Sequence, residues 1–310
     1  MAHLLATRYV AVATFATASH ALSDARIPLT SSIHAKKPTS VLVHGLDSSK
    51  ETWTSTLAAL QSASYPCLAL DLRGHGESPL GAVDEFSSEA LARDVVAAVE
   101  GHGVPKPWIL VGHSMGGRIA MRVARLAVEE DPGLLAACVV EDMDCVPRKA
   151  WNATGPPPDF DRAFPSLEAA KAELRKYYDA DRVDSWVGAR LRPASASAPG
   201  GAWWSDINPR AAALARRHVL SSTDGSEAWS ALANAPEGQR PFEVHLLVAG
   251  PDGTVATWEG DDGIGDLATR LPAAHVKEYP TAGHSIHNSN QDEFVADLCA
   301  IIERAADASA

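Results

Sequence analysis

The sequence predicts an α/β architecture: a mostly parallel sheet covered on both faces by helices, with a mainly helical insertion. Three observations carry that expectation. Short apolar runs that read as strands are continuous rather than alternating, the pattern of a sheet buried on both faces. They alternate with stretches whose apolar residues recur at helical spacing, as in successive βαβ units. Between Cys145 and Arg240 this alternation stops, and it resumes at Phe242.

In chain order, Ser40-Val41-Leu42-Val43 is a short run closed by His44-Gly45, and Lys50 to Gln61 carries Trp53, Leu57 and Leu60 on one helical face. Cys67-Leu68-Ala69-Leu70 is the next strand, and after a loop from Asp71 to Ala82 the residues Phe86, Leu91, Val95 and Val99 mark a helix. Trp108 to Val111 and Leu135 to Val140 read as strands on either side of a helix that begins after Ser114. Past the insertion come a strand at Phe242 to Ala249, a helix around Gly263 to Leu271, a strand at His275 to Tyr279 and the turn Thr281 to His284. The last helix is expected to start near Ser289, with Ser289 and Asp292 as a capping box.

The predicted division is 26–144 plus 241–310 as the core and 145–240 as the insertion, with 1–25 as a targeting peptide or a ragged N-terminus. Such a long segment is implausible as a structureless loop, so it is expected to lie over the active edge of the sheet as a cap. It holds helical patches at Leu167 to Tyr178 and Arg210 to Leu220, and an Ala/Ser/Pro/Gly stretch from Pro193 to Gly201. It also holds five of the eight tryptophans, Trp151, Trp186, Trp203, Trp204 and Trp229, which are expected to form the cap's own core or to line a cleft.

A net charge of -12 and the lack of clustered Lys and Arg exclude a nucleic-acid partner. Cys67, Cys138, Cys145 and Cys299 show no CxxC and no metal-ligand spacing, so they read as free thiols. Met1 to Ser23 is rich in Ala, Thr and Ser and has no acid before Asp24, which suits an organelle transit peptide for the mitochondrion or plastid. Without that address the expected location is cytoplasmic; a secretory signal, which would give meaning to the sequon Asn152-Ala153-Thr154, is the weaker reading. The stretch is too short and too broken to be a membrane span.

The chemistry centres on Val111-Gly112-His113-Ser114-Met115-Gly116-Gly117. A serine between two glycines, at the junction of a buried strand and a helix, is a nucleophile elbow: the turn is too sharp for side chains on its neighbours. A serine hydroxyl is a weak nucleophile at neutral pH and needs a base, oriented by a carboxylate. Among 12 histidines, His284 holds the expected place on the turn after the last strand, with His287 as its rival. His113 is expected to point away from Ser114, and His44 and His75 to shape the site's walls.

With His44-Gly45, Asp71-Leu72-Arg73-Gly74-His75-Gly76-Glu77-Ser78, the elbow and Ala282-Gly283-His284 in order, the chain resembles the α/β-hydrolase superfamily across Ser40 to Asp144 and Pro241 to Ile302. Within it, the sequence around Val43 to Lys50, Gly112 to Gly117 and Gly283 to His287 is most similar to small bacterial esterases and mitochondrial abhydrolase-domain proteins. The resemblance implies an acid just after the strand Val244 to Ala249, which is Asp252, or, as in the small esterases, an aspartate ending the strand after the elbow helix. That second position is Asp142, which is preferred; Asp144 is a third candidate. The oxyanion donors implied are the backbone N–H groups of Met115 and Leu46.

The expected function is a serine esterase or thioesterase acting on a small acyl substrate with a hydrophobic part. No cofactor and no metal are called for, and the oligomeric state is left open. The alternatives are a non-catalytic binding or partner-stabilising protein of the same fold, and a C–C hydrolase or acyltransferase using the same triad.

Overall fold

The computed structural model describes residues 24–27, 37–149, 158–194, 202–236 and 238–308, with the backbone alone for 24–27. The expectations placed on Met1 to Ser23, Trp151, the sequon at 152–154 and most of the 193–201 stretch lie outside the described residues.

Seven strands form the main sheet: β1 (Asp24–Ile27), β2 (Ser40–Val43), β3 (Cys67–Leu70), β4 (Trp108–His113), β5 (Leu135–Glu141), β9 (Glu243–Ala249) and β10 (Ala274–Tyr279). Their order is β1-β3-β2-β4-β5-β9-β10, and every pair is parallel except β1 against β3. The continuous apolar runs have a simple cause. Val41, Val43, Leu68, Leu70, Leu110, Val140, Val244 and Val248 enter one core, while Leu42, Ala69, Ile109, Val111, Val139, Leu247 and Ala249 enter another. Successive residues of each strand therefore serve opposite faces, and both faces are covered.

The first core lies under α2 (Ser88–Gly101) and α3 (Met115–Glu129), the second under α1 (Thr54–Ser62) and α10 (Gln291–Ala308). The predicted final helix begins two residues later than expected. Ser289 belongs to the short helix α9 (Ile286–Ser289), and its hydroxyl accepts from Gly283 N at 2.9 Å rather than capping α10. All four cysteines are free, and Cys145 is buried against Met121 at 3.4 Å between sulfurs.

The segment between the halves is helical in α4 (Leu167–Leu174), α5 (Ala180–Ser185), α6 (Pro209–Ala215) and α7 (Asp224–Ala233). It also contains an antiparallel sheet that periodicity does not reveal, formed by β6 (Ala163–Phe164), β7 (Leu191–Pro193) and β8 (Trp203–Ser205). A small core of Phe164, Leu174, Val183, Trp186 and Ile207 holds this part together. Trp229 is placed differently: it packs into the main core and donates its indole N–H to Leu267 O at 3.0 Å. The small sheet is anchored on the 71–78 loop, where Trp204 Nε1 donates to Gly76 O (3.1 Å) and Arg162 Nη1 to Ser78 O (3.0 Å).

Candidate active site

The ends of β2, β4, β5 and β9 converge at the carboxyl edge of the sheet, where parallel α/β folds place their ligands. β4 lies between β2 and β5, and its last residue, His113, pairs in register with Glu141 of β5. Ser114 follows with φ 54° and ψ -122°, a conformation unfavourable for a residue with a side chain. The turn is held by Ser114 N donating to Glu141 O at 2.9 Å and Gly117 N to Ser114 O at 2.8 Å. Close backbone approach explains the glycines. A Cβ on Gly112 would lie 2.1 Å from Gly116 O, and one on Gly116 would lie 2.5 Å from Val43 O.

The loop after β2 runs against the serine: a Cβ on Gly45 would meet Ser114 Cβ at 2.9 Å. His44 fixes the loop's direction. Its Nδ1 donates to Gly45 O at 2.7 Å, while its Nε2 accepts from Leu72 N at 3.0 Å. In a trans peptide the N–H points opposite to the C=O, so anchoring the Gly45 carbonyl aims the Leu46 N–H the other way. Burial keeps His44 neutral, with its pKa pushed well below the ordinary imidazole value, and this suits its two opposite roles. Met115 is fully buried at the first position of α3.

Residue 47 ties this loop to the insertion. Asp47, at φ 53°, accepts from Tyr178 OH (2.7 Å), Arg182 Nη2 (3.2 Å) and Arg216 Nη2 (3.3 Å) through its carboxylate, and from Arg190 Nη1 (2.7 Å) through its carbonyl. Nothing in the sequence pattern signals this cluster.

Of the three candidate acids, Asp142 is the one in contact with His284, whose Nδ1 donates to Asp142 Oδ2 at 2.6 Å across 142 positions of chain. Asp142 is buried at φ 47° and also accepts from Thr254 Oγ1 (2.6 Å), Val255 N (2.9 Å) and Ala249 N (3.1 Å). Burial pushes its pKa up, but the four donors, His284 first, outweigh it and hold the carboxyl below its ordinary value. Asp252 is exposed on the turn after β9 and is not brought to His284. Asp144 is buried in an ion pair with Arg148 at 2.9 Å and accepts from Thr257 N at 2.6 Å.

His287 is also placed away from the role of base. Its ring is wholly buried, with Nδ1 on the Glu141 carboxylate at 2.8 and 2.9 Å and Nε2 against Thr52 Oγ1 at 3.0 Å. Glu141 thus binds Ser114 through its backbone carbonyl and His287 through its side chain, a link that sequence reading missed. The available signal was a Glu-Asp pair ending an otherwise apolar buried strand. His113 is buried. Its Nε2 donates to His284 O at 3.1 Å, and burial pushes its pKa down to about 3, so the donating tautomer is neutral. Among the described residues no hydrogen bond joins the Ser114 hydroxyl to His284. The His113 ring, one residue from Ser114, nevertheless lies 4.6 Å from that of His284.

A strained serine at a strand end, a buried aspartate bonded to a half-buried histidine, and a loop run against the serine recur in enzymes that cleave acyl bonds. The family model described as "Alpha/beta hydrolase family" matches residues 41–298. The chain belongs to the alpha/beta hydrolase family. As a member it is 39% identical over 119 residues to protein phosphatase methylesterase 1 of Mus musculus, a match covering 37% of this chain and 30% of that one. The match therefore spans less than a third of that relative's length. Over 87% of this chain and 80% of the relative, it is 26% identical to the sn-1-specific diacylglycerol lipase ABHD11 of Xenopus tropicalis. A solved structure described as a marine microorganism esterase superposes with TM-score 0.64 at 17% identity, covering 91% of this chain and 100% of that one, which shows the shared fold. No helix among the described residues is long and apolar enough to cross a membrane.

Proposed function

We propose that the protein is a serine hydrolase of carboxylic esters or thioesters, with Ser114 as nucleophile, His284 as base and Asp142 as the acid that orients it. The observation that carries this reading is the 2.6 Å bond from His284 Nδ1 to the buried Asp142 carboxylate, beside a serine held in a strained turn. With Nδ1–H committed to Asp142, His284 Nε2 is the lone-pair nitrogen that receives the Ser114 proton. The Ser–His hydrogen bond closes as substrate arrives, as is common when free sites are looser than the reacting complex.

Ser114 Oγ then bonds to the acyl carbon, and the carbonyl oxygen takes up negative charge facing the N–H groups of Met115 and Leu46. Collapse breaks the bond to the leaving alcohol or thiol, which takes the proton from His284. Water, deprotonated by the same nitrogen, attacks the acyl-enzyme; the acid leaves and Ser114 recovers its proton. The names of the mouse and frog relatives, a methylesterase and a lipase, support ester cleavage. We assign 145–240 as a cap over a core made of 26–144 and 241–310, with an apolar part of the substrate beneath it.

A fluorophosphonate probe tests this reading. Labelling of the wild-type chain that vanishes in Ser114→Ala is expected; no labelling of folded wild type would overturn it. Turnover of p-nitrophenyl esters and thioesters of graded length then separates the two substrate classes. A second expectation concerns His113, which anchors the carbonyl of His284. His113→Phe keeps a ring and removes the donor, so kcat should fall roughly tenfold, the worth of one well-placed hydrogen bond, with KM little changed. Equal loss in KM would place His113 in substrate binding instead.

A further inference from the structure

β10 is the edge of the main sheet and β9 its neighbour, and their register sets His275 directly opposite His245. Residues opposite one another in a parallel pair leave the sheet on the same face, as do residues two apart on one strand, so Glu243 shares that face. The two imidazoles stack with centroids 4.7 Å apart and planes 17° from parallel. Glu243 Oε2 lies 2.8 Å from His245 Nε2, and one ligand atom from each of the three residues falls within 4.8 Å of the others. His245 is buried while His275 is exposed, so the group opens to solvent on one side. Arg304 of α10 also reaches Glu243 Oε2 at 3.2 and 3.4 Å, so a cation here would share that carboxylate with the guanidinium.

We infer that Glu243, His245 and His275 form a binding site for a divalent transition-metal ion of the zinc type, separate from the site around Ser114. Two imidazole nitrogens and one carboxylate oxygen are a donor set that zinc takes up, with water as the fourth ligand. Zinc–ligand bonds of about 2.0–2.2 Å require the three atoms to draw in by little more than an ångström, a change that rotation of the exposed His275 supplies. The hydrogen on His245 Nε2 passes to solvent as the metal takes its lone pair. The residues sit near the starts of β9 and β10, whereas the Ser114 site lies past the strand ends. A metal here clamps the edge strand to its neighbour and plays no part in the hydrolytic step.

The test is calorimetric titration of the full-length protein with zinc chloride, alongside thermal unfolding with and without the ion. One equivalent should bind with a micromolar Kd, and both His275→Ala and Glu243→Gln should weaken binding at least about tenfold. Zinc should raise the Tm of wild type and not that of His275→Ala. His275 is exposed, so its replacement leaves the core packing intact. No saturable binding below roughly 1 mM zinc, or the same affinity in both variants as in wild type, would overturn the site.

Discussion

Asp142→Asn should lower ester turnover by about 10³- to 10⁴-fold, whereas Asp252→Asn should leave it within about twofold of wild type. An asparagine at 142 turns an N–H toward His284 and stabilises the tautomer with its proton on the wrong nitrogen, so the imidazole can no longer accept from Ser114. The loss should fall on kcat, because no substrate contact is removed. Asp252 is exposed on its turn and does not contact His284, so its amide changes nothing at the base. The buried carboxylate also accepts from Thr254, Val255 and Ala249, and losing acceptor capacity there should cost about 1–3 kcal/mol of stability. Steady-state kinetics and urea unfolding of both variants measure the two effects. Activity lost in Asp252→Asn and kept in Asp142→Asn would reverse the assignment.

The second large effect is expected at Glu141, whose side chain is fully buried on fully buried His287. Glu141→Ala leaves His287 N and Nδ1 without their acceptor and should destabilise the fold by about 2–5 kcal/mol, the cost of leaving two buried donors unsatisfied. That is a large share of an ordinary domain's stability. Glu141→Gln keeps an acceptor oxygen and should cost less. The two variants should also differ from wild type in acid. Burial raises the Glu141 pKa, but the nearby His287 and His113 and the His287 hydrogen bonds outweigh it, so the carboxyl titrates below its ordinary value.

A carboxyl depressed in the folded state contributes stability that is present above its unfolded pKa and lost as pH falls through its folded pKa. Asp142, depressed for the same kind of reason, behaves alike. Unfolding midpoints taken from pH 7 downward should therefore fall less steeply in Glu141→Gln than in wild type. Parallel curves would show that Glu141 carries no such linkage.

Much of this was legible before any coordinates. Strands such as Cys67–Leu70 and Trp108–His113 announce themselves because both faces are buried and every position is apolar or small. The elbow is legible because only glycine tolerates the approach of Gly112 to Gly116. Which aspartate meets His284 was not decided by sequence, since both Asp142 and Asp252 follow strands that end at one edge. What separates them is the left-handed turn at Asp142 and the donors from 249 to 255 that fold back over it. The small sheet escaped notice because strands of two and three residues are too short to show a period. Glu141 escaped because a charge at a strand end usually meets water, and its partner His287 lies 146 residues away.

The contacts around Asp47 bear on the order of events in the proposed reaction. The peptide we propose as an oxyanion donor lies one residue from a carboxylate gripped by Tyr178, Arg182 and Arg216, all from the 145–240 segment we assign as the cap. On the proposed reading, lifting that segment to admit substrate would release the grip, and reseating it would restore the donor's aim. Polarisation of the acyl carbonyl would then be tied to closure: under the proposed mechanism an open molecule would receive its ester but be poorly set to cleave it. Because the grip is ionic and partly exposed, its strength falls as salt rises, so turnover should fall in brine if closure is required.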